Sequence, residues 1–555
     1  MDDMTSAATT SGSTTPRPGL PASYTDAEPT GGTTPSAEAR PGLQPVTLGT
    51  GPLSIDEVVR VARHGAPVVL TEESLAEVRR TREVIRGLAD DTEPHYGVST
   101  GFGALATRHI PVAMRRQLQR SLVRSHAAGS GPEVEREVVR ALMLLRISTL
   151  ATGRTGIREE TLTTYVAMLN AGIAPVVHEY GSLGCSGDLA PLSHCALALM
   201  GEGVVRDQHG ERMPAADALA AAGIAPVELE EKEGLALING TDGMLGMLCL
   251  AIHDLRELLV VSDIAAAMSV EGLLGTDDVF AADLHGLRPQ PGQAVSAENI
   301  AKVMAHSPIR ESHRTEACTR VQDAYSLRCA PVVAGGARDT VDHAARVAGW
   351  ELSSAVDNPV VTHDGRVESN GNFHGAPVAY VLDFLAIVAA DVASISERRT
   401  DRFLDVARSH GLPPFLADDP GVDSGHMIAQ YTQAAIVSEM KRLAAPASVD
   451  SIPSSAMRED HVSMGWSAAR KLRRAVDGLS RVLAVEVLTA ARGIQLRAPL
   501  TPAPATGAVI DALLTAGASR PGGDRWLSPE IDIAHGLVLD GTVRRAAESE
   551  AGPLA

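Results

Sequence analysis

"VAYVLDFLAIVAADVASI", residues Val378 to Ile395, decides the fold class. Its large apolar side chains fall at Val378, Val381, Leu382, Leu385, Val388, Ala389, Val392 and Ile395. That spacing of three and four makes one continuous helical face rather than the alternating faces of a strand. A second pattern of the same kind runs from about Val462 to Leu496, with Leu472, Val476, Leu479, Leu483 and Val487 at near-heptad steps. Helices of roughly 25 to 35 residues exceed the ordinary mean, and such lengths suit a bundle, continued across subunits. The fold class is therefore all-α: mainly helical, with a long central helix bundle.

Composition agrees. The 555 residues are 44% hydrophobic and 21% charged, with only 3% aromatic side chains, as in a globular helical protein. A net charge of −19 excludes the basic surface that nucleic acid needs. Five scattered cysteines (Cys185, Cys195, Cys249, Cys318, Cys329) form no disulfide framework and no CxxC pair, so no metal is expected. The N-terminus lacks the basic-then-apolar order of a signal peptide. No uncharged apolar run is long enough for a membrane span, so a cytoplasmic protein without membrane contact is expected.

Three regions follow. Residues 1–45 are Thr, Ser, Gly, Pro and Ala with almost no large apolar side chains, and are expected to be a disordered extension. Residues 46–260 open with "PLSIDEVVRVARHG", where Ser54 can cap a helix, Asp56 and Glu57 suit its first turn and Gly65 its end. From about 80 to 300 the pattern mixes short helical stretches with Gly-rich loops. Residues 261–555 carry the long-helix bundle, with extended periodicity from about 340 onward.

Within the second region lies "GSLGCSGDLAPLSH", Gly181 to His194. A Gly-Ser cluster usually marks a turn. Ser186 and Cys185 are each a possible nucleophile, although the G-x-S-x-G elbow is not met. A third chemistry is open to this triplet. If the chain bends tightly, the Gly187 amide nitrogen is pressed against the Cys185 carbonyl carbon, an approach glycine tolerates because it has no Cβ. Ring closure and loss of water, the Ser186 hydroxyl included, leave an imidazolone with an exocyclic methylidene, an electrophile no unmodified side chain offers.

This stretch resembles the prosthetic-group loop of the aromatic amino acid ammonia-lyase and aminomutase family, whose triplet is commonly Ala-Ser-Gly. Here Cys185 stands in the alanine place, contributing only backbone to the ring. The resemblance extends from about residue 46 over nearly the whole chain. "YGVSTGFGAL" (96–105) is similar to the family's inner loop, whose tyrosine, here Tyr96, is the catalytic base. "LQRSLVRSHAAG" (118–129) is similar to its side-chain selector, where Ser125-His126 is the histidine-type pair. "EGLALINGT" (233–241) supplies Asn239, and "VQDAYSLRC" (321–329) supplies Gln322, Tyr325 and Arg328. "NGNFHG" (370–375) supplies Phe373, and "SSAMREDHVSMG" (454–465) supplies Glu459.

The resemblance implies a catalytic set of Tyr96, Ser186, Tyr325 and Glu459. It implies a methylidene-imidazolone formed from Cys185, Ser186 and Gly187 with no external cofactor. It also implies binding of the substrate by His126, Asn239, Gln322, Arg328 and Phe373. The implied activity is elimination of ammonia from a small amino acid, L-histidine by the Ser-His pair, giving urocanate. The alternative on the same machinery is a 2,3-aminomutase or a lyase for a related aromatic amino acid. The implied assembly is a homotetramer with active sites shared between subunits. Arginine suits an α-carboxylate because its fork binds both oxygens, and Tyr325 and Arg328, three apart, share one side of a helix or tight turn. The chain departs from the family pattern at Val332, at Ala324 and at Arg458, a cation placed beside Glu459 that could pair with it.

Overall fold

Burial sorts the helices before their order does. The computed structural model describes residues 43–89, 95, 97, 99–100, 110–315, 318 and 321–555. Tyr96, most of the inner loop, and residues 1–42 of the N-terminal extension lie outside them. Six helices position the site: α1 (Arg136–Ala151), α2 (Asp242–Gly272), α3 (Ala330–Leu352), α4 (Ala376–Leu404), α5 (Met427–Leu443) and α6 (Gly465–Gln495). Among the described residues the strands are short, none longer than the four residues Ser130–Glu133. The all-α expectation holds.

The two helices read from periodicity are α4 and α6, and they lie along one another in the bundle with α2 beside both. Leu472, Val476, Leu479, Leu483 and Val487 of α6 are all buried, as their spacing requires. On α4, Val378, Val381, Leu382, Leu385, Ala389 and Val392 are buried, whereas Val388 and Ile395 are only partly covered. Helix α4 is long and apolar enough to cross a membrane by length and composition alone, but its inward face packs into the bundle. There the carboxylate of Asp383, 3% exposed, pairs with Lys471 of α6. The first helix, Ile55–Ala62, begins as read: Ser54 and Glu57 form a capping box.

One expectation fails. The pattern from 80 to 300 predicts short helices and loops, yet the region contains α2, 31 residues long. All of α2 is buried except His253, Asp254, Arg256 and Glu257. A helix apolar on every side sits inside a core and loses the periodic signal that marks a half-buried one. The division placed at 260/261 falls within this single helix. Long helical structure also begins earlier than 340, with α3 starting at Ala330.

Candidate active site

The Gly181–Asp188 segment is clamped at both ends. On one side the Met464 amide donates to the Leu183 carbonyl (3.0 Å), and the Ser463 hydroxyl donates to the Gly184 carbonyl (3.3 Å). On the other the Asp188 amide donates to the Gly240 carbonyl at 2.7 Å. The buried Asp188 carboxylate accepts from the Gly243 and Met244 amides (3.0 and 2.9 Å) at the start of α2, and from the Ser182 hydroxyl (2.9 Å). A helix N-terminus favours an anion, yet full burial pushes the Asp188 pKa up to about 7.

Between these clamps Gly184 and Gly187 bridge across Cys185 and Ser186, both with positive φ (69° and 80°). Gly187 also bridges to Gly240, so closely that a Cβ on Gly187 would lie 1.9 Å from the Gly240 oxygen. Glycine is required there by conformation and by space. Ser186 is half-buried, and its hydroxyl makes no hydrogen bond among the described residues. Burial, reinforced by Glu459, pushes the Cys185 thiol up to about 12. It therefore stays protonated, which removes the thiolate-nucleophile reading.

Glu459 reaches this turn because its own segment folds back on itself. Ser454 and Glu459 pair through their backbones (3.0 Å), and the Ser454 hydroxyl donates to Glu459 Oε2 at 2.8 Å. The carboxylate stands near enough to the Cys185 thiol to help raise its pKa. Arg458 is exposed and makes no ion pair with Glu459 among the described residues, so the pairing suggested by their adjacency is not formed. The Asn370–Gly375 segment borders the same place. A Cβ on Gly375 would stand 2.5 Å from Met244 Sδ and 3.0 Å from Ser463 Oγ, and Phe373, two residues earlier, is half-buried.

Asn239, 1% exposed, precedes the Gly240 that touches Gly187. Its Nδ2 donates to Asp357 Oδ1 (3.2 Å) and to the Asn358 carbonyl (3.1 Å), while its Oδ1 is buried without a partner among the described residues. Its carbonyl accepts from Arg146 of α1 at 2.5 Å.

The remaining candidates stand apart in a single chain. His126 ends the helix Arg115–His126, with Nδ1 2.9 Å from the Leu122 carbonyl. Nδ1 also lies 3.0 Å from the Ser125 hydroxyl, so these contacts stay within its own helix. Tyr325 and Arg328 share the short helix Tyr325–Arg328, the guanidinium lying 4.7 Å from the phenol ring centroid. Arg328 Nε donates to the Asp323 carbonyl at 2.8 Å. Tyr325 is 72% exposed, and Gln322 is exposed as well. Among the described residues no hydrogen bond or ion pair joins His126, Gln322, Tyr325 or Arg328 to the Cys185–Gly187 turn.

A family model for aromatic amino acid lyases matches residues 53–515, the span that holds all of these segments. The chain belongs to the aromatic amino acid lyase family. It is 65% identical over 515 residues to a histidine ammonia-lyase of Streptomyces griseus, covering 92% of this chain and 100% of that one. Among solved structures, it resembles the histidine ammonia-lyase of Trypanosoma cruzi (36% identity, 91% and 96% of the two chains, TM-score 0.84). It also resembles the tyrosine aminomutase of Streptomyces globisporus (36% identity, 92% and 100%, TM-score 0.87).

In this aromatic amino acid lyase, the residues that fix the turn were not all visible beforehand. Asp188 and Ser463 lie inside quoted motifs, but nothing in their spacing gave them a task. Lys232 and Asp357 were missed altogether. Lys232, in "EEKEG", reads as one charge in a solvated run, and Asp357, in "DNP", reads as a turn residue. Both are fully buried and paired, Nζ to Oδ2, at 2.5 Å.

Proposed function

We propose that this lyase eliminates ammonia from L-histidine to give trans-urocanate. The observation that carries this reading is the Glu459 carboxylate lying against the Cys185–Gly187 turn. A carboxylate there is an acceptor for an imidazole N–H, a group that phenylalanine and tyrosine lack. His126, in the Ser-His pair, supplies a second group suited to the ring. The Streptomyces griseus relative supports the same substrate.

The triplet fits the methylidene-imidazolone. Gly187 holds positive φ against the Gly240 backbone where no Cβ fits, and the Ser186 hydroxyl that must leave has no partner among the described residues. Cys185, Ser186 and Gly187 would form the group, which supplies an electrophilic methylidene carbon to lower the barrier for loss of a poor leaving group. The other residues bind, orient and move protons. Arg328 holds the α-carboxylate through its fork, with Tyr325 stacked beneath it, and Gln322 lies alongside. Asn239 Oδ1 accepts from the substrate ammonium. Phe373 covers the apolar side, and Glu459 and His126 orient the imidazole. Tyr96 removes the β-proton, which requires its phenol to be acidified in the site.

The site is completed by other subunits of a homotetramer. Tyr325 and Arg328 are exposed or half-exposed and unconnected to the turn within one chain. Helix α4 presents Tyr380, Phe384 and Ile387 to solvent at steps of four and three, and α5 presents Ile428 and Tyr431. An apolar stripe of that kind marks an interface.

Incubation of the purified protein with L-histidine tests the reading. Rising absorbance from a conjugated imidazolyl acrylate, with equimolar ammonia, is the expected result. No such product would overturn it, and β-histidine as the main product would make the protein a 2,3-aminomutase.

A further inference from the structure

Lys232 and Asp357 form an ion pair with no access to water. Such a pair is a poor source of stability, since apolar residues of similar volume usually do as well. Its geometry, however, imposes a direction. Asp357 gives one oxygen to Lys232 and the other, Oδ1, to the Asn358 amide (2.7 Å) and Asn239 Nδ2 (3.2 Å). A carboxylate can only accept, so Asn239 must turn its NH2 group toward Asp357. The second hydrogen of that NH2 goes to the Asn358 carbonyl. Both donors are then used, and Oδ1 remains as a buried acceptor with no partner among the described residues. Leaving it so costs free energy unless a ligand supplies a donor. Lys232 itself is held at φ 71°, a conformation costly for a residue with a side chain.

We propose that Lys232 and Asp357 are positioning residues that lock the Asn239 amide in one of its two orientations, reserving Oδ1 for the substrate ammonium. The proposal rests on the ammonia-lyase reading. Asp357 keeps an acceptor toward Asn239, and Lys232 holds Asp357 in register. A reversed amide would present N–H donors to a cation.

Asp357→Asn tests the direction. Lys232 would claim the one remaining oxygen, turning the new NH2 toward Asn239 and releasing its orientation. The full-length variant is expected to fold and to lose the same two waters as wild type by intact mass. Its kcat/KM for ammonia release should fall about 10–100-fold, as for other outer-shell partners. Adding Lys232→Met removes the competing donor, so Asp357→Asn/Lys232→Met should recover most of that loss. A merely structural pair would lower the melting temperature and leave kcat/KM per folded, cyclised subunit at the wild-type value, which would overturn the proposal. Should the single variant not fold, Asp357→Leu/Lys232→Met decides: it removes the acceptor toward Asn239 without leaving an unpaired charge, so a fall of about 10–100-fold in kcat/KM supports orientation and the wild-type value overturns it.

Ammonia release is read with L-histidine, L-phenylalanine and L-tyrosine in parallel. Wild-type activity on phenylalanine or tyrosine alone would sink the histidine reading and leave the positioning test to be scored on that substrate. Wild-type activity on none of the three would overturn both.

Discussion

Gly187 lies on Gly240 backbone to backbone, with the Gly240 oxygen 1.9 Å from where a Gly187 Cβ would be. The contact joins the Cys185–Gly187 turn to the entry of α2. Gly187→Ala cannot keep it, and it would also force alanine to a φ of 80°. The variant should retain the full encoded mass, without the two-water deficit, and lose at least about 10³-fold in kcat, consistent with removal of a covalent catalytic group. Intact mass and turnover of L-histidine check this.

Ser186→Ala separates chemistry from folding. Its hydroxyl holds no described partner, so thermal stability should stay within about 0.5 kcal/mol of wild type, the range for substitutions that break nothing. The mass deficit and the activity should both disappear. Retained activity would contradict the ring mechanism.

Asp188→Ala should damage the scaffold instead. The amides of Gly243 and Met244 and the Ser182 hydroxyl would lose their acceptor in a buried place. With roughly 1–3 kcal/mol for each unsatisfied group, denaturant unfolding should report a loss of several kcal/mol, and ring formation should slow.

Glu459→Gln keeps the size and the Ser454 contact but removes the charge. The two-water deficit should persist, while kcat/KM for L-histidine falls about 10–100-fold, the effect of losing a charged hydrogen-bond partner of roughly 1.5–3 kcal/mol. Steady-state kinetics on the cyclised variant distinguish this from failure to mature.

Two buried histidines should make stability fall with acid, against the smaller opposing contribution of Asp188, whose folded pKa of about 7 lies above its unfolded value. Burial, reinforced by neighbouring His178, lowers His194 to about 4, and burial, reinforced by Arg492 and Arg525, lowers His426 to about 4. Both imidazoles are neutral in the fold, and His194 Nε2 accepts from the Gly129 amide at 3.1 Å. Between pH 6.5 and about 4 the unfolded chain binds protons that the folded chain refuses. Their contribution to stability is therefore present above pH 6.5 and is lost as pH falls through that window. Melting temperature measured from pH 7.5 to 4.5 should drop, and His426→Gln should flatten the slope.

Much of this protein was legible in its sequence because the relevant signals are local. Steps of three and four placed α4 and α6, Ser54 and Glu57 placed a capping box, and the Gly-Cys-Ser-Gly order marked the turn where a backbone can react. The candidate residues came from the resemblance of short motifs to the family's, a signal that is local for the same reason. Helix α2 was hidden because burial on every side erases the periodicity that a half-buried helix keeps. The Lys232–Asp357 pair was hidden because a charge 125 positions from its partner looks like any solvated charge. Tertiary structure alone decided which residues share a place in one chain. It brought the triplet together with Gly240, Asn239 and Glu459, left Arg458 in solvent, and kept Tyr325 and Arg328 on an exposed helix. The sequence determines which groups can do the chemistry, since that depends on residue type and local backbone freedom. Their distances, burial and orientation depend on contacts between segments far apart in the chain, which only packing sets.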